Sequence, residues 1–211
     1  MADRLPLGHV REATLEVKRS VFLARVERVD DEDAARAVVA AARARAPEAR
    51  HHCSAFIVDV ADAQPIERSS DDGEPAGTAG TPMLEVLRGA GLTNVVAVVT
   101  RHFGGTLLGT GGLVRAYSDA VALALDGAPR VRPVVRTLVE LELGPEEAGR
   151  VDGALLARGV EVTDATWGPT VVLRLAVDDP AAAEALAAEV LQRPATLTLA
   201  GHQVTEVAVA G

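Results

Sequence analysis

The sequence predicts an α+β protein of two domains, residues 1–130 and 131–211. Three observations lead there. Apolar residues alternate with period two in many short runs, and helical segments with clear start and stop signals interrupt those runs. At "A-P-R-V-R-P-V" (128–134) the pattern changes, and this proline-bearing stretch reads as a linker. Charge changes at the same place: of the net −9, residues 1–133 carry −2 and residues 134–211 carry −7.

In the first half, "V-R-E-A-T-L-E-V" (10–17) and "V-F-L-A-R-V-E-R-V" (21–29) read as paired strands. Lys18, Arg19 and Ser20 join them, with no Gly or Asn to name a turn type. "D-D-E-D-A-A-R-A-V-V-A-A-A-R-A-R-A" places acids in a helix's first turn and arginines in its last, and Pro47 stops it. "C-S-A-F-I-V-D-V" is a strand, followed by a polar stretch and a glycine-rich loop. Pro82 suits the first turn of a short helix closed by glycine. "N-V-V-A-V-V-T-R-H-F" is nearly all apolar and β-branched, which predicts a central strand buried on both faces. A second glycine-rich loop leads into a helix over about residues 112–126.

The second half predicts a strand (134–143), a helix (145–158) and two strands (160–166, 170–177). A helix opening at Pro180 and a strand (196–209) follow. Gly168-Pro169 suits the hairpin between the middle strands. The order βαββαβ is the split βαβ, or ferredoxin-like, arrangement.

Composition excludes several classes. Aromatics are 2% of the chain, so Ala, Val and Leu must build the core. Cys53 is the sole cysteine, which excludes an intrachain disulfide and a zinc ribbon. No stretch approaches eighteen uncharged apolar residues, and no basic segment precedes an apolar run at the N-terminus. A soluble, cytoplasmic protein is expected. A second domain at −7 is a poor binder of phosphate backbones, so any nucleic acid would meet the first.

The chemistry-bearing residues lie in the two loops. "S-S-D-D-G-E-P-A-G-T-A-G-T-P-M-L" (69–84) offers Asp71, Asp72 and Glu74, which suit either a hard cation or a turn held by backbone N–H donors. It fits no EF-hand, and no metal is expected. "R-H-F-G-G-T-L-L-G-T-G-G-L-V-R-A-Y" (101–117) has the form of a glycine turn entering a helix. That form can hold an anion, or simply let two backbones pass closely. "H-H-C" (51–53) places His51 and Cys53 on one strand face and His52 on the other, and suits structural histidines and a buried thiol better than a metal. No serine or cysteine has a base evident beside it.

Together these loops, with "K-R-S-V-F" (18–22) and "H-H-C-S-A-F" (51–56), closely resemble the YigZ/IMPACT family over about residues 10–127. The resemblance implies an N-terminal domain like the second domain of ribosomal protein S-five. It implies a C-terminal domain akin to the last domain of translocating elongation factors. Eukaryotic IMPACT regulates translation by competing for the activator of an initiation-factor kinase, so the implied function is a non-catalytic factor binding a translation-associated protein or RNA. No enzyme activity or cofactor comes with the family. An enzyme or sensor holding a phosphorylated small molecule, or another anion, in the glycine-rich cleft is the alternative.

Carried over by position, the motif surface comprises His52, Asp71, Asp72, Glu74, Gly77, Thr78, Gly80, Arg101, Gly104, Gly105, Gly109, Gly111, Gly112, Arg115 and Tyr117. Position 102, usually aromatic in the family, is His here, and position 54, usually Tyr, is Ser. Both changes remove stacking faces and leave Phe103 and Tyr117. The two loops are expected to meet in one cleft, with Arg101 and Arg115 facing Asp71, Asp72 and Glu74. One of those acids should pair with Arg101, because an unpaired guanidinium at the end of a buried strand is costly.

Overall fold

The structure is a computed structural model that describes residues 2–61 and 63–209. Among the described residues it is an α+β chain with two sheets and five helices, in two compact units: 1–132 with 207–211, and 133–206.

The first unit holds β1 (Val10–Val17), β2 (Ser20–Arg28), α1 (Glu32–Arg45), β3 (His51–Val58), β4 (Ile66–Ser70), α2 (Gly80–Gly89), β5 (Val95–His102) and α3 (Thr110–Leu125). Its sheet runs β1-β2-β5-β3-β4, with every neighbour antiparallel. The central position of β5 explains its apolar sequence. Val95, Ala97 and Val99 face the core under α2 and α3, whereas Val96 and Val98 face a second core under α1. Strand alternation sends Cys53, Ala55 and Ile57 of β3 to the first core and Phe56 and Val58 to the second.

Local signals act as expected at α1: Asp31 accepts the Ala34 N–H at 2.7 Å, with acids in the first turn and arginines in the last. The β1–β2 turn forms without glycine. Lys18 and Arg19 take φ of 47° and 66°, the pair of positive values that a two-residue hairpin turn requires.

Two expectations fail. The polar stretch before the first loop contains β4, an edge strand whose sequence "I-E-R-S-S" lacks the apolar alternation of a half-buried strand. Residues 130–134, read as linker, begin the fourteen-residue strand β6 (Arg130–Leu143), where Val131 bridges to Arg4. Pro133 is tolerated near that strand's start.

The second unit continues with α4 (Pro145–Leu156), β7 (Glu161–Thr166), β8 (Val171–Val177), α5 (Pro180–Leu191) and β9 (Thr198–Val209). Its sheet order is β7-β8-β6-β9. Val139, Leu141 and Leu143 of β6 pack with Val171, Leu173 and Leu175 of β8 against Val151 and Leu155 of α4 and Ala187 of α5. Asp179 caps α5 by accepting the Ala181 and Ala182 N–H groups. No helix among the described residues is long and apolar enough to cross a membrane.

Candidate functional site

The two glycine-rich loops meet at the end of β5. Arg101 donates from Nη1 to Glu74 Oε1 at 2.6 Å, with the two side chains 7% and 4% exposed. The same carboxylate oxygen accepts the Tyr117 hydroxyl at 2.8 Å. Phe22 lies 5.4 Å from the guanidinium carbon and meets the Tyr117 ring edge-on at 5.1 Å. The Phe103 ring lies 5.6 Å from that carbon. A buried cation thus has a carboxylate partner and two ring contacts, which together offset its desolvation.

The other two acids hold the first loop. Asp71 accepts the N–H groups of Gly77, Ala79 and Gly80 at 2.8–2.9 Å. Burial raises its pKa, but these three donors outweigh that and hold the carboxyl below its ordinary range. Asp72, at φ 45°, accepts the His52 N–H at 2.6 Å and pairs with Arg43. Thr78 is buried and donates its hydroxyl to Pro75 O at 2.7 Å.

The glycines have three distinct roles. Gly77, Gly105 and Gly109 take φ of 74°, 83° and 71°. At Gly80 and Gly104 a side chain would strike backbone: a Cβ would lie 2.6 Å from Ser70 N and 2.0 Å from the Arg19 carbonyl carbon. Gly112 has Leu108 Cβ at 3.1 Å, whereas Gly111 has open space. Close backbone approach therefore accounts for some of the glycines.

A cleft of about 440 Å³ opens beside this cluster, between the start of β3, the first loop, the second loop and α3. Glu74, Arg101 and Gly109 line it. The other twelve expected members do not line it. His52 is buried, with its ring bonded to Thr100 Oγ1 at 3.0 Å near Arg43 and Ala46, and its neighbour His51 lines the cleft instead. Strand alternation puts consecutive residues on opposite faces, which explains the exchange. Arg115 is exposed and has no ion-pair partner among the described residues, so it faces none of the three acids. Tyr117 is fully buried and offers no stacking face.

Titration behaviour follows burial. Desolvation pushes the Cys53 thiol up to about 12, and its sulfur donates to Asp71 O at 3.0 Å. Burial above all, then Cys53 and Glu74, moves the Tyr117 hydroxyl well above its ordinary value. Neither is a nucleophile at neutral pH. Among the described residues no group of three or more His, Cys, Asp or Glu side chains is placed to hold a metal ion.

Ser20 and Phe22 were missed as site residues. Ser20 is fully buried, and its Oγ accepts the Gly104 N–H at 3.1 Å. The available signal was their place in "K-R-S-V-F", two and no residues from its end.

These residues coincide with a known domain: the Impact N-terminal domain matches residues 18–125. The chain belongs to the IMPACT family. It is 38% identical over 169 residues to the IMPACT family member YigZ of Escherichia coli K12, covering 80% of this chain and 83% of that one. An IMPACT family member of Haemophilus influenzae is 45% identical over 127 residues, 60% of this chain and 62% of that one. Among solved structures, a crystal structure described as that of a hypothetical protein aligns with TM-score 0.60 and 35% identity. It covers 93% of this IMPACT chain and is itself covered over 97%.

Proposed function

We propose that this chain is a non-catalytic cytoplasmic factor that binds a component of the translation machinery, protein or RNA, through the cleft of its first unit. One observation carries the reading. The motif's polar side chains bond to one another: Glu74 to Arg101 and Tyr117, Asp71 to three backbone N–H groups, Asp72 to Arg43 and the backbone. These bonds make a rigid wall in which, of the Arg101 nitrogens, Nε is left buried without a hydrogen-bond partner, and among the described residues no general base faces the cleft with a nucleophile beside it. Family membership supports the translation context. We read the first unit as the fold of the S-five second domain. The order β7-β8-β6-β9 supports a ferredoxin-like second unit akin to the last domain of translocating elongation factors.

The alternative, a site for a phosphorylated small molecule, has one observation in its favour. Helix α3 begins at Gly109 without a side-chain cap, and Gly109 and Thr110 line the cleft.

Capture of partners from lysate by the immobilised full chain, with and without nuclease, tests the reading. Ribosomal or factor proteins retained after nuclease support a protein partner, and nuclease-sensitive retention supports RNA. Retention of neither overturns the proposal.

A further inference from the structure

We propose that the cleft is a docking groove for a protein segment that places a bulky apolar side chain beside a carboxylate. The inference rests on the reading of this cleft as a partner-binding site and names the chemistry of its occupant.

The lining is mainly apolar. Phe103 is 52% exposed and Leu107 is 82% exposed, while Leu113 is buried beside them. Leu108 and Pro75 complete the hollow. Single exposed leucines are common on protein surfaces; exposed Leu and Phe sharing one concave site are the arrangement of a binding groove. A volume of about 440 Å³ accommodates large side chains of an extended segment.

The charge selects the neighbour of that side chain. Arg101 and Glu74 neutralise each other within the wall. Arg50 also lines the cleft, is exposed, and has no ion-pair partner among the described residues. Arg19 borders the second loop, donating to Thr106 Oγ1 at 3.2 Å. The first turn of α3 adds the positive end of its dipole, since Gly109 supplies no capping side chain. On a chain of net charge −9 this is a local reversal of sign, complementary to an acidic partner.

RNA fits less well. Continuous backbone binding needs several Lys or Arg contacts and successive aromatic faces. The cleft has one unpaired arginine on its lining, Phe103 and the His51 imidazole are the aromatic rings there, and Tyr117 is buried.

The test uses the full chain and three fluorescein-labelled probes followed by anisotropy: a short peptide alternating Glu with Leu, its Lys–Leu counterpart, and oligouridylate. The Glu–Leu peptide should bind best, with affinity falling as salt rises. Leu107→Asp and Arg50→Glu should each weaken it by about tenfold or more. Both positions are exposed, so circular dichroism and melting should match the parent. Equal binding of the two peptides, no binding of either, or unchanged affinity in both variants overturns the proposal. Preferential binding of oligouridylate, lost in the same variants, also overturns it and assigns the groove to RNA. If peptides fail while the parent captures translation components and Leu107→Asp does not, this inference falls and the broader reading stands. If capture retains none, the broader reading falls whatever the peptides do.

Discussion

Arg101 and Glu74 meet at 2.6 Å as an almost wholly buried ion pair that joins the end of β5 to the first glycine-rich loop. Breaking one side leaves the other charge uncompensated. Glu74→Gln should therefore lower unfolding free energy in urea by about 3–5 kcal/mol. The double variant Arg101→Met with Glu74→Leu should recover most of that loss, because a packed apolar pair avoids both desolvation penalties. A double variant as unstable as the single would assign the stability to the hydrogen bonds with Tyr117 and Ser20 instead.

Much of this arrangement was legible in the sequence. That Arg101 needs an acid followed from its place at the end of a buried strand, and the candidates were the three loop acids. Which acid it takes was not legible. Asp71 and Asp72 are short side chains followed by a glycine turn, so their oxygens close on the loop's own N–H groups and on the start of β3. Glu74, beyond the turn, reaches inward. Arg115 was misplaced because helical phase decides which side chain one turn inside α3 faces the core. Tyr117 has that phase and Arg115 does not.

The glycines divide by what surrounds them. Gly104→Ala should destabilise severely, since its Cβ would enter the Arg19 backbone at 2.0 Å and no side-chain rotation relieves that. Gly111 lies in the first turn of α3 with nothing within 4 Å. Gly111→Ala should leave stability unchanged or raise it by up to about 1 kcal/mol. Thermal melts of the two variants check both outcomes. Loss of partner capture by a stable Gly111→Ala protein would mean that the open space is used by the partner.

His52 makes stability pH-dependent in a defined direction. Burial first, then the nearby Arg43, lowers its folded pKa below the ordinary value. Below about pH 6.5 the unfolded chain binds a proton that the folded protein refuses. Its contribution is therefore full above that pH and is lost as pH falls toward the folded value. Denaturation curves between about pH 7 and 5 should show a steeper loss in the parent than in His52→Gln.

Cys53 should be inert while the protein is folded. With no exposed surface and a pKa pushed up to about 12, it should not react with a thiol-specific disulfide reagent at mildly alkaline pH. One thiol per chain should titrate after addition of denaturant. Rapid labelling of the native protein would show that the strand opens locally.

The hydrogen bonds that close this region join residues far apart along the chain: 81 positions separate Arg101 from Ser20, 84 separate Gly104 from Ser20, and 87 separate Thr106 from Arg19. During synthesis, β2 and β3 therefore emerge before the strand that must lie between them exists. Until β5 arrives, their apolar edges have no native neighbour, and closing such long loops delays the first productive contacts. The nascent first unit passes through a stage with exposed, unpaired strand edges. Its yield in cells should thus depend on translation speed and holdase chaperones, even for variants whose equilibrium stability is unchanged.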